Sequence, residues 1–71
     1  MKPEEWIAEF AAAINAEAPD QATVDELLDL AAVAAHASER TAAPIACYLA
    51  GLSGRPPAEL KDVADDVGST G

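Results

Sequence analysis

The only histidine of this 71-residue chain, its only cysteine and its only tyrosine all fall within residues 27–52, LLDLAAVAAHASERTAAPIACYLAGL, together with Asp29 and Arg40. These side chains offer more than packing: an imidazole for proton transfer or metal ligation, a thiol for nucleophilic attack, a guanidinium for an anion, a carboxylate to orient any of them. Asp29 and His36 are seven residues apart, two turns of a helix, so they share a side but stand roughly 10 Å apart along the axis. That distance excludes a direct Asp–His hydrogen bond. A zinc site needs histidines at i, i+4 or a cysteine pair, and neither is present. Cys47, among Ile45, Ala46 and Leu49, reads as a small buried hydrophobe. No catalytic residue, metal ligand or cofactor site is expected.

What survives is His36 and Arg40, at the corner between the second and third helices. There the free N–H groups of a starting helix and two scarce positive groups form a candidate ligand-binding or anion pocket, with Asp29 and Tyr48 as supporting residues. The plainer alternative gives the same residues structural work. His36 then donates to the last carbonyls of its helix or stacks on Tyr48 or Trp6, and Arg40 pairs with Glu39, Asp29 or a terminal carbonyl. The acidic groups Glu4 and Glu5, Asp25 and Glu26, and Asp62, Asp65 and Asp66 read as solvated faces and caps, since nothing supplies the desolvation that separates a general acid from a base.

Four helices must carry these residues. The first is expected from Pro3 to about Ala16, with proline in its first turn, Glu4 and Glu5 at the positive end of the dipole, and Trp6, Phe10, Ala13 and Ile14 on one apolar stripe. Pro19 closes the loop that follows. Thr23 and Glu26 have the spacing of a capping box for the second helix. Leu27, Leu28, Leu30, Ala31, Ala34 and Ala35 then make it apolar around much of its circumference, as in a central helix. It fades over residues 36–39. Thr41 or Ala43 caps a third helix with Pro44 in its first turn and Ile45, Leu49 and Leu52 at i, i+4, i+7, Tyr48 beside them. Gly51 and Gly54 are candidate stops. Pro57 opens a short fourth helix with Leu60, Val63, Ala64 and Val67 on one face.

The expected fold is all-α: a small bundle of three main helices plus a short C-terminal fourth, one domain over residues 1–67, with 68–71 as a flexible C-terminal tail. Its expected core is Trp6, Phe10, Ile14, Leu27, Leu28, Leu30, Ala31, Ala34, Ile45, Tyr48, Leu49 and Leu52. Seventy-one residues lie near the lower limit at which one core suffices without disulfides or metal, and much of the 51% apolar fraction is alanine, which buries little area per residue.

A net charge of −9 with only four basic residues repels phosphate backbones and anionic lipid, so neither nucleic acid nor a membrane is an expected partner. The lone cysteine suits a reducing compartment. The N-terminus turns acidic at once and no apolar run is long enough to span a bilayer, so a soluble, cytoplasmic protein is expected.

Leu27, Leu28, Asp29, Leu30, Ala31, Ala35, His36, Arg40, Ala42, Ala43, Pro44, Leu49, Gly51 and Leu52, with an early Trp6, form a pattern that resembles a small actinobacterial domain family of unknown function, numbered 6457 among such domains. Its central run reads L-L-D-L-A-R-D-V-A-H, then a basic residue, A-A-P and F-L-x-G-L. The chain departs from it at Ala32 and Val33, where the family has Arg-Asp, and at Tyr48, where it has Phe. A polar site built on that Arg-Asp pair would be incomplete here; Asp29, His36 and Arg40 remain. Members of the family occur alone or joined to molybdenum-cofactor guanylyltransferase-like proteins. The resemblance therefore implies a setting, molybdenum-cofactor maturation or delivery, and a partner of that kind. The leading expectation is a non-enzymatic accessory or protein-interaction module, with homodimerisation open to its close-packing alanine faces. The alternative is the small-ligand or anion-binding domain at the helix corner; an enzyme ranks last.

Overall fold

The computed structural model describes residues 1–67; the expectation of a flexible tail at 68–71 lies outside the described residues. Four helices follow one another: α1 (Pro3–Ala13), α2 (Gln21–Ala37), α3 (Ala42–Ser53) and α4 (Pro57–Asp66), and no strand occurs among the described residues. The all-α class and the three-plus-one division agree with the periodicity of the apolar residues.

α1 begins with Pro3 in its first turn, where a missing N–H costs nothing, and Glu4 and Glu5 face the positive end of the dipole. It ends three residues earlier than expected. The Ala16 N–H donates to the Ala11 carbonyl and the Asn15 N–H to that of Ala12, with Asn15 at φ 58°. This is a Schellman closure, with asparagine, the non-glycine residue that best tolerates the left-handed region, in the position glycine usually takes.

α2 starts earlier than the Thr23–Glu26 spacing predicts. Asp20 is the cap: its carboxylate accepts from the Thr23 N–H at 2.8 Å, which places Thr23 inside the first turn. The aspartate outcompetes the threonine because an ionised acceptor binds the orphan N–H more strongly. A side-chain hydrogen bond from Gln21 to Asp25, 2.8 Å long, spans the first turn beyond it. α3 runs through Gly51 and stops at Gly54, whose φ of 69° is the left-handed conformation of a helix C-cap. Ser53 Oγ donates to the Ala50 carbonyl and accepts from the Arg55 N–H, tying the turn into α4.

α2 is the central element, packing against both α3 and α4. α1 leans on its N-terminal half, where Pro3 and Ile7 share a shallow pocket with Val24 and Leu28. The bundle is open. Its Cα radius of gyration is 13.0 Å and its extents are 42 × 23 × 18 Å, against about 11 Å for the radius of a compact chain of this length.

The core departs most from expectation. Among the described residues only Ala11, Leu30 and Ala50 are buried, while Leu27, Ala31 and Ala34 are half-buried. Trp6, Phe10, Ile14, Leu28, Ile45, Tyr48, Leu49 and Leu52, all expected inside, are exposed. The periodicity was sound and the side of the helix was not. Trp6 and Phe10 cover part of each other instead, their rings stacked at 5.1 Å.

Candidate interaction surface

α3 shows why. Its sequence, AAPIACYLAGLS, contains no charged residue and carries two stripes at helical spacing. Ala43, Ala46, Cys47 and Ala50 make one; Ile45, Tyr48, Leu49 and Leu52 make the other. The small stripe turns inward: Ala50 is buried, the others are half-buried, and Cys47 Sγ lies 3.8 Å from the Leu27 carbonyl oxygen on α2. Small side chains let two helix backbones approach closely, and one helix face can be satisfied this way only if the larger residues go elsewhere. The large stripe faces solvent, with Ile45 59%, Tyr48 63%, Leu49 57% and Leu52 66% exposed.

The exposed stripe continues into a groove. Ile45, Ala46 and Leu49 of α3 form one wall, Ala64 of α4 and Val67 just beyond it the other, and Val33, Ala34 and Ala37 of α2 the floor. A second stretch of the same cleft, nearer the C-terminal end of α3, runs between Leu49 and Ala50 on one side and Leu60 and Val63 on the other, over Leu30. The lining is almost wholly aliphatic. α4 beside it carries exposed i, i+4 ion pairs along its own length, Arg55 with Glu59 and Lys61 with Asp65.

Of the residues singled out for chemistry, His36 lies beside the groove, with which its pocket shares Val33, Ala37, Ala64 and Val67. His36 is exposed in the last turn of α2. It lines a shallow pocket with Val33, Ala37, Ala64, Asp65 and Val67, so its polar neighbour there is an acid of α4. Arg40 is exposed in the turn between α2 and α3, and its carbonyl accepts from the Ala43 N–H. Tyr48 belongs to the outward stripe of α3, on a different wall of the structure from the His36 pocket. Asp29 is exposed and acts on Lys61: that ammonium is held above its usual range by the hydrogen bond and charge of Asp65 first, with Asp62 and Asp29 adding to them against a small desolvation penalty. Asp20 is shifted the other way. Its hydrogen bonds from Thr23, side chain then backbone, keep the carboxyl below its usual range despite slight desolvation.

Among the described residues, no group of three or more His, Cys, Asp or Glu side chains could hold a metal ion, and no helix is long and apolar enough to cross a membrane. The arrangement offers a surface for apolar contact. Val63 and Val67, read from the sequence with Leu60 and Ala64 as one apolar face of the fourth helix, complete that surface. The signal that could have found it was α3 itself: a helix without a charge and with two complete apolar stripes has more to bury than one neighbour can cover.

The family model described as "Domain of unknown function (DUF6457)" matches residues 2–69. The chain belongs to this family. The match takes in all four helices of this DUF6457 chain, the outward stripe of α3 included. No curated protein and no solved structure matches it.

Proposed function

We propose that this DUF6457 chain is a non-enzymatic accessory module of the cytoplasm that works by binding protein through its exposed apolar faces on α1 and α3. One observation carries the reading: α3 spends its small residues on α2 and presents Ile45, Tyr48, Leu49 and Leu52 to solvent. A contiguous apolar surface of this size on a chain otherwise rich in charge supports reading it as a protein-binding site. Trp6, Phe10 and Ile14 offer a second exposed apolar stripe on α1. The setting we propose is molybdenum-cofactor maturation or delivery, with a molybdenum-cofactor guanylyltransferase-like protein as the heterologous partner; its support is the likeness of residues 27–52 to domains found joined to such proteins.

Calorimetric titration of the purified chain into such a guanylyltransferase-like protein tests this, with F10E and L49E in parallel. Binding by the wild type that is lost in either variant supports the module and its setting. No binding by the wild type removes the setting, and binding untouched by both variants removes the apolar surfaces as its basis.

A further inference from the structure

We infer that the outward face of α3 is covered by a second copy of this chain, the two α3 helices packing across a two-fold axis with Val63 and Val67 of each copy at the sides. The inference rests on reading that face as an interaction surface and names its occupant.

Three observations point to a second copy. The first is area. The chain exposes 5335 Å², where a folded monomer of its mass exposes roughly 4,200 Å². The surplus is of the order of the ~800 Å² that each partner contributes to a standard interface. Ile45, Tyr48, Leu49, Leu52, Val63 and Val67 are between 45% and 69% exposed. At roughly 200 Å² for a fully exposed large side chain, they present about 700 Å², so this one patch accounts for most of what a dimer needs.

The second is charge. A −9 chain meets itself at a cost wherever acids face acids. α3 is free of charge along its whole length, while α1 carries Glu4, Glu5 and Glu9 and α4 carries Glu59, Asp62, Asp65 and Asp66. It is therefore the helix on which two such chains can meet without placing carboxylates opposite one another.

The third is pattern. Residues 45, 48, 49 and 52 repeat at the 3–4 spacing of a helix-pairing seam, and Gly51 at its edge has nothing within 4 Å of an added Cβ, leaving room for a neighbouring backbone. Pairing through the same residues on both copies is isologous and closes after two chains. It also covers the open apolar edge of each chain along α3.

The acidic bulk of each copy still repels the other at long range, which fixes the sign of the salt effect. Added salt screens that repulsion and tightens the dimer, with a dissociation constant that falls roughly tenfold from low to physiological ionic strength. A basic partner docking on the same face would show the opposite dependence.

Sedimentation equilibrium of the full chain alone, across protein concentration and at low and high sodium chloride, reads both. The expected result is reversible association to twice the chain mass, stronger in high salt, and weakened about 100-fold or more in L49E, which would place a carboxylate in the seam of each copy. F10E, on α1, should associate as the wild type does. Circular dichroism on L49E separates loss of pairing from loss of fold, and I45T, which removes apolar area without adding charge, should weaken association by a smaller factor. A wild type that stays monomeric at all concentrations and salts overturns the inference, as does association that L49E and I45T leave intact. A monomeric wild type whose binding to the guanylyltransferase-like protein is lost in L49E would leave the module reading standing and give the α3 face to that partner.

Discussion

Cys47 Sγ sits 3.8 Å from the Leu27 carbonyl oxygen, and this contact records which way α3 is rotated. With Cys47 against α2, its neighbour Tyr48 must face away, and Ile45, Leu49 and Leu52 go with it. Replacing Cys47 by leucine should force the helices apart and destabilise the fold by about 1–3 kcal/mol, the usual cost of overpacking. Cys47→Ala should be tolerated far better. Urea denaturation of the two variants would rank them, and equal midpoints would show that the small stripe does not set the α2–α3 spacing.

Leu30 and Leu28 occupy the same helix with opposite burial, 4% against 62% exposed. Leu30→Ala should therefore cost about 2–5 kcal/mol and leave so small a domain largely unfolded. Leu28→Gln should fall within about 0.5 kcal/mol of the wild type. Thermal unfolding followed by circular dichroism checks both.

Gly51 within α3 and Gly54 at its C-cap predict opposite outcomes for the same change. Gly51 lies inside the helix with open space around its Cα, so Gly51→Ala should stabilise the monomer by about 0.5–1 kcal/mol through helix propensity. Gly54 holds φ at 69° with equally open space. Gly54→Ala should cost about 1–2 kcal/mol through backbone strain alone. Denaturant midpoints of the pair would expose an error in either assignment.

Asp20 caps α2 with a carboxyl held below its usual range. A carboxyl lowered in the folded state adds stability that is fully present above its unfolded value, near 3.8, and lost as pH falls through the lowered folded value. Asp20→Asn keeps an acceptor without the charge and should flatten that acid limb. Asp20→Ala should lower Tm by a few degrees at neutral pH. Thr23→Val, which keeps the backbone donor, should do less. A larger loss in Thr23→Val than in Asp20→Ala would return the cap to Thr23.

His36 shares its pocket with Asp65, and an incoming anion would meet that carboxylate. Phosphate added to the labelled protein should leave the His36 ring resonances in place. A saturable shift there, lost in Arg40→Gln, would favour the anion-binding alternative at the helix corner.

Much of the local structure was legible in the residues. Prolines at 3 and 57 open helices, Gly54 ends one, and the runs between them have helical period because local sterics and dipoles act within a turn or two of chain. The same logic misplaced the start of α2: Thr23 and Glu26 match a capping pattern, but Asp20 reaches the Thr23 N–H first. Candidate site residues were chosen by type, and type does not fix neighbours. His36 lies beside Asp65, Arg40 in the turn between α2 and α3, and Tyr48 on the outward stripe of α3, because each helix was oriented by its apolar contacts and not by its polar ones.

The sequence by itself determined that this chain makes four helices, that it is acidic, and that its apolar residues form stripes. Only the tertiary structure decided which stripe of α3 points inward. A helix with one apolar stripe has one way to bury it, so periodicity predicts its orientation; α3 has two, and close approach to α2 selected the alanines and the cysteine. That choice leaves Ile45, Tyr48, Leu49 and Leu52 exposed, because a chain of 71 residues has too few helices to cover both sides.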